Sequence, residues 1–312
     1  MDSRKTLNGQ ASAIMLLLCM IWGLQQIVLK ATAADIAPIM QIALRSGAAA
    51  LMVGLLMFCR KEQMSLSDGI WRPGLIVGFL FGLEFLLVGE GLQRTSASHV
   101  VVFLYTAPIF VALGLHGRLP SERLNTLQWL GIALAFGGVV LTFFGRSHQL
   151  APVPGTVSPL WGDALALLGG VAWAATTVVV RCSSLAKASA SQTLLYQLVG
   201  AFVLLLLASL VLDQTFINPT PMVLGALLFQ SLVVSFASFL VWFWLLRHYQ
   251  ASQLGVFSFM TPLFGVAFGV WLLKEPLEPN FVLGAVLVLS GVVLVSSHGW
   301  LKRSVLRLQT QR

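Results

Sequence analysis

Charge is what this chain has least of. Its 312 residues include 11 Asp and Glu and 19 Lys and Arg, so charged side chains make up 10% and hydrophobic ones 57%. With a mean hydropathy of +0.88, such a chain cannot present a water-compatible surface, which excludes an ordinary soluble domain. Cysteine is scarcer still, at three residues. Cys19, Cys59 and Cys182 form an odd, scattered set within or at the ends of apolar runs, which argues against a disulfide framework or a metal site. Strand-like alternation of polar and apolar residues is also missing, which excludes an outer-membrane barrel. No Ser/His cluster, Asp pair or His set falls at membrane depth: His116, His148, His248 and His298 sit at run ends or in loops, and Asp2, Asp35, Asp68, Asp163 and Asp213 are terminal or interfacial. An intramembrane enzyme lacks its constellation here, and no cofactor or metal is expected.

What is present is a succession of apolar runs. About 20 apolar residues cross the ~30 Å hydrocarbon layer as a helix, and ten runs qualify: 11–29, 36–58, 73–92, 97–116, 126–145, 160–180, 189–211, 222–245, 253–273 and 280–298. Helices satisfy every backbone group internally, so the expected fold is an all-α integral membrane protein of ten transmembrane helices. Residues 1–10 form a short N-terminal segment, 11–145 a first five-helix unit, 146–159 a linker with Pro152, Pro154, Gly155 and Pro159, 160–298 a second unit, and 299–312 a basic tail. The first run continues past Trp22 to Leu29 without a small-residue cleavage signature, so it reads as a retained span.

Basic residues orient the bundle. With the N-terminus inside, Arg4, Lys5, Arg60, Lys61, Arg118, Arg181, Lys187 and the tail's Lys302 and Arg303 are among those on the inner side, and only Lys30, Arg94, Arg146 and Lys274 fall outside. Both termini are expected in the cytoplasm. This distribution accounts for the net charge of +8 without a nucleic-acid partner.

The runs repeat. Ala97-Ser98, Phe103 and Pro108 recur as Ala251-Ser252, Phe257 and Pro262 at an offset of 154; Trp22 pairs with Trp173, Gly47 with Gly200, Glu122-Arg123-Leu124 with Glu275-Pro276-Leu277, and Gly131 and Gly138 with Gly284 and Gly291. Five spans per copy is an odd number, so the second copy enters the bilayer from the opposite side. Inverted repeats of this kind place a solute pathway between their halves.

With these motifs, over residues 11–298, the chain resembles the EamA-type members of the drug/metabolite transporter superfamily. The resemblance rests on Trp22-Gly23 and its echo Trp173, on Arg45, on the paired Ala-Ser to Pro stretches, and on the Glu-x-Leu segments before glycine-bearing last spans. It implies a ten-helix carrier with a central cavity, exporting amino acids or other small metabolites across a bacterial inner membrane.

Several residues are candidates for the pathway. Arg45 is a basic group near the middle of an apolar run, where isolation costs about 2.5 to 3.5 kcal/mol on insertion scales. Glu84 falls at the same depth counted from the outer surface, about 13 Å down at 1.5 Å per residue, so an Arg45 to Glu84 ion pair is expected. It could be a structural brace, or it could lie on the pathway, meeting a zwitterion's charged ends or carrying a proton on Glu84. Trp22, Gln25 and Gln26 in the first span and Trp173, Thr176 and Thr177 in its counterpart face either the centre or neighbouring helices. Phe103, Tyr105, Phe257, Tyr196 and Gln197 either line a cavity or simply pack. Glu90 and Arg94 form either a local pair or a vestibule charge. His99 and its counterpart Gln253 begin spans, as solvated residues or as a pH-sensitive contact. Pro108 and Pro262 each remove a donor in mid-span and read as paired hinges.

The sequence thus points to a secondary transporter for amino acids or related metabolites, with efflux of cationic compounds through Glu84 as the alternative. Its expected partners are a small-molecule substrate and membrane lipid, as a monomer or homodimer.

Overall fold

Helices carry nearly the whole of the protein in a computed structural model, which describes residues 8–62, 64, 68–118, 124–144, 159–249, 254 and 257–309. In chain order they are α1 (Gly9–Ala31), α2 (Pro38–Cys59), α3 (Asp68–Leu92), α4 (Ala97–Leu104), α5 (Ala107–His116), α6 (Thr126–Phe144), α7 (Pro159–Cys182), a 3₁₀ turn (Ser184–Lys187), α8 (Ala190–Val211), α9 (Pro221–Leu228), a π-helical segment (Phe229–Ser238), α10 (Phe239–His248), α11 (Met260–Leu273) and α12 (Pro279–Gln309). Seven stretches are long and apolar enough to cross a membrane, and Thr126–Thr142, Met260–Leu273 and Pro279–Val295 are shorter apolar helices.

Local sequence sets the helix starts. Asn8, Ser96, Ser189 and Thr220 each accept a hydrogen bond from a backbone N–H three residues on, the N-cap arrangement that satisfies an orphan donor. Asn125 and Gln128 do so reciprocally before α6, each side chain accepting from the other's backbone N–H. Proline occupies the first turn of α2, α5 and α9, where its missing N–H removes nothing.

Three departures from the sequence expectation matter. The fourth run is broken between Leu104 and Ala107, with Pro108 in the first turn of the second piece, and a turn at Phe259 precedes α11 with Pro262 in its first turn. The prolines therefore sit just after breaks, where a missing donor is tolerated. The eighth run contains ten residues of π-helix, which no proline or glycine within it signals. The last helix runs on to Gln309, so the basic tail continues the span helically. The linker at 146–158, Glu122 and Arg123, and Ala251 to Gln253 lie outside the described residues.

Glycines bring the two halves together. A Cβ on Gly131 would lie 2.8 Å from the Gly291 carbonyl oxygen, and one on Gly138 would lie 2.6 Å from that of Gly284. The pairing runs antiparallel: as the number rises by seven in α6 it falls by seven in α12. Because Gly131 matches Gly284 and Gly138 matches Gly291 in the repeat, each contact is the image of the other. A second junction joins α3 to α8, where the Tyr196 ring covers Gly74 and Gly78 abuts the Tyr196 carbonyl and Gly200. Small residues at such crossings let backbones approach, and in lipid that packing supplies much of the association energy.

Gly138→Leu should therefore lower the thermal unfolding midpoint of the detergent-purified protein, with a destabilisation of about 1–3 kcal/mol from overpacking or more if the helices separate. Gly137→Leu, where a Cβ meets nothing within 4 Å, should leave the midpoint unchanged.

Candidate functional site

The bundle centre holds a group of buried polar side chains. Arg45, in the second turn of α2, is 2% exposed; Glu84 of α3 is 5% exposed; Gln25 and Gln26 of α1 and Gln230 of the π segment are buried with them. The Arg45 Nη1 donates to Gln230 Oε1 at 2.6 Å, and its Cζ lies 4.5 Å from the centroid of the Phe85 ring. Gln230 Nε2 in turn donates to the Gln25 carbonyl at 2.9 Å.

This corrects the expected Arg45 to Glu84 ion pair. The two are close enough to act on each other electrostatically, but the guanidinium's hydrogen bond goes to an amide on the π segment. Equal depth fixes height along the bundle and not direction around a helix. Glu84 and Phe85 are about 100° apart on α3, and it is the ring of Phe85 that lies under the guanidinium.

The cluster is incompletely satisfied. Arg45 Nε, Glu84 Oε2 and Gln26 Oε1 are buried without a hydrogen-bond partner. Unpaired polar atoms at such depth each cost about 1–3 kcal/mol, and they offer one donor and two acceptors to whatever enters. Around them, Tyr105 meets Trp173 edge-on with centroids 5.2 Å apart, and Thr261 and Cys19 are its neighbours. Trp22 Nε1 donates to Ser238 Oγ at 2.9 Å, and its ring meets Trp242 edge-on. Ser238 is the repeat counterpart of Glu84.

Other candidates fall elsewhere. Thr176 and Thr177 hydroxyls bond back to the Ala172 and Trp173 carbonyls of their own helix. Tyr196 packs on Gly74 and Gly78, six to ten residues before Glu84 on α3, with its hydroxyl buried and unpartnered. Gln197 is half-buried on α8. Two lateral grooves of about 560 and 820 Å³ open beside α2, lined by residues such as Leu51, Leu55, Phe58 and Phe202. Their apolar walls suit lipid chains and lie apart from the charged centre.

A second polar network ties the helix ends remote from the termini. Lys30 Nζ donates to the Leu92 and Thr95 carbonyls, and Thr95 Oγ1 donates to Asp163. His99 Nδ1 lies 3.1 Å from both Asp163 oxygens, and its ring stacks on Phe281 at 4.1 Å. His99 is 6% exposed and Asp163 fully buried, so neither is the solvated end residue its position in sequence suggested; partners 64 residues apart enclose each other. Glu90 pairs with Arg94 at 2.5 Å and also accepts from Gln214.

Glu275 completes this rim. Lys274 adopts the left-handed conformation at φ 56°, and the Lys274 and Glu275 N–H groups both close onto the Gly269 carbonyl, ending α11. The turn delivers the Glu275 carboxylate to the start of α4, where it accepts from Ala97 N at 2.7 Å, Ser98 N at 3.0 Å and Ser98 Oγ at 2.6 Å. The sequence showed Glu275 as a repeat marker without showing this capping role.

A helical bundle of apolar spans enclosing charge is a membrane protein's arrangement, and the comparisons name its kind. The chain belongs to the EamA-like transporter family, which matches residues 10–144 and again 160–297. Its relatives include the "Uncharacterized transporter YoaV" of Bacillus subtilis, 25% identical over 88% of this chain and 92% of that one. The "Uncharacterized inner membrane transporter YedA" of Escherichia coli K12 is 24% identical over 89% and 88%, and protein PA1977 of Pseudomonas aeruginosa is 29% identical over 86% of each. A solved crystal structure shares the fold at a TM-score of 0.63, with 18% identity over 92% of this chain and 98% of that one. The protein is thus a multi-pass membrane protein of a transporter family.

Glu275→Ala would strip the cap from α4 and leave two buried N–H groups unpaired. A loss of about 1–2 kcal/mol is expected, read as a lower thermal midpoint, and Glu275→Gln should recover part of it.

Proposed function

We propose that this protein is a secondary transporter of ten spans in two inverted repeats, with both termini in the cytoplasm, exporting amino acids or related small metabolites by alternating access. The observation that carries this reading is the buried, partly unsatisfied centre: one unpaired donor on Arg45 and two unpaired acceptors on Glu84 and Gln26. A zwitterion's carboxylate complements the first and its ammonium group the other two. The seven long and three shorter apolar helices add up to the ten spans, and the antiparallel, mutually imaged glycine contacts of α6 and α12 support inversion.

In this reading Arg45, Glu84, Trp22, Gln25, Gln26, Tyr105, Trp173, Thr176, Tyr196 and Gln197 border the pathway, and the breaks before Pro108 and Pro262 are the points about which the halves rock. The knit rim of Lys30, Thr95, Asp163, His99 and Glu275 closes the outer face. The transporter resides in a bacterial inner membrane as a monomer or homodimer, with a small solute as its partner. Efflux of cationic compounds is the second reading, favoured by the unpartnered Glu84 oxygen.

Reconstituted liposomes loaded with radiolabelled amino acids or cationic dyes, assayed with and without a pH gradient, test both readings. The first expects amino-acid flux that Arg45→Leu and Glu84→Leu each reduce at least about tenfold, the equivalent of 1.4 kcal/mol. Dye flux lost only with Glu84→Leu would favour the second. Full flux of either solute in both variants would remove the centre from the pathway.

A further inference from the structure

The π-helical segment puts a glutamine where the scaffold has no polar residue. Relative to Ser238, the counterpart of Glu84, residue 230 corresponds to Ile76 of α3. Ile76 is 50% exposed, whereas Gln230 is fully buried. The difference follows from the helix type: the wider i→i+5 turns advance each residue through a smaller angle, so a position upstream of Ser238 comes round to a different face than in α3.

Turned inward, Gln230 uses both ends of its amide. Its Nε2 is fixed on the Gln25 carbonyl of α1, which leaves Oε1 as an oriented acceptor for Arg45. The guanidinium is held between that oxygen and the face of Phe85, and Glu84 Oε2 is left without a partner. Two acceptors therefore compete for one cation, and the neutral one holds it.

We propose that Gln230 is a positioning residue that diverts Arg45 from Glu84, so that the Glu84 carboxyl stays free to take up a positive partner, either a proton or the ammonium group of a solute. This deepens the reading above and rests on it for the role of Glu84 in transport. Without Gln230, Arg45 would close onto Glu84 as a buried ion pair, and the carboxylate would be occupied. The other titratable groups near Glu84 are Tyr105, in the break between α4 and α5, and through it Cys19 of α1. Neither carries a positive charge that could replace Arg45.

Dicyclohexylcarbodiimide, which adds to protonated carboxyl groups in apolar surroundings, reads the state of Glu84 without any knowledge of the solute. Full-length protein in liposomes should be labelled at Glu84, located by peptide mass spectrometry and absent from Glu84→Gln. Gln230→Leu, and the smaller Gln230→Ala, should reduce that labelling about tenfold. Gln230→Glu, which still offers Arg45 an acceptor, should retain it, and Arg45→Leu combined with Gln230→Leu should restore it because the competing cation is gone. An unlabelled Glu84 in the native protein, equal labelling in Gln230→Leu, or loss in the double variant as deep as in Gln230→Leu alone would each overturn the proposal. A failure of amino-acid flux in the liposome screen with this labelling pattern intact would instead remove only the assignment of solute.

Discussion

A guanidinium enclosed by apolar helices has to be met, and the way Arg45 is met organises the middle of this protein. Left alone at that depth it would cost several kcal/mol. Here its charge is met by three partners on two helices: a hydrogen bond to Gln230 of the π segment, and the face of Phe85 and the nearby field of Glu84 on α3. Each partner constrains a helix. Gln230 must be turned inward, which the π segment accomplishes, and it brings α1 along through the Gln25 carbonyl. The guanidinium is stabilised by an amide oxygen and a ring face while Glu84 Oε2 keeps no hydrogen bond, and that leaves the centre with unspent hydrogen-bonding capacity.

Around this centre the scaffold is built for close and symmetric approach. Glycine pairs at α6 with α12, and at α3 with α8, bring helices from the two halves within backbone contact. The two breaks, at Tyr105-Thr106 and at Phe259, occupy matched places in the repeat. The two halves also depart from their symmetry. The repeat counterpart of Glu84 is Ser238, which is bound to Trp22, and that of the buried Gln230 is the exposed Ile76. At the rim, Glu275 holds the start of α4.

Much of this was legible in the residues. The apolar runs marked the helices, and Pro108 and Pro262 pointed to bends in mid-run, though each lies in the first turn after a break, where a ring without an N–H is tolerated. Gly131, Gly138, Gly284 and Gly291 were visible as a matched set, though their mutual contact was not. Arg45 and Glu84 stood out by the rarity of charge within apolar runs, and both are buried, but depth alone pointed to each as the other's partner, whereas the guanidinium's hydrogen bond goes to Gln230. Gln230 was invisible for a physical reason: its inward face depends on a change of helical pitch that apolar composition does not encode. His99 and Asp163 were read as end residues because their burial comes from a contact between distant spans, which no local pattern announces.

We infer that the Arg45, Glu84 and Gln26 atoms left without partners are the solute's binding groups. A structure of the protein determined with a transported amino acid bound would show whether they are. The expected result is the solute's carboxylate within hydrogen-bonding distance of Arg45 Nε and its ammonium group against Glu84 Oε2 and Gln26 Oε1. A solute seated elsewhere in the bundle, with Arg45 and Glu84 closed onto each other beneath it, would overturn that assignment.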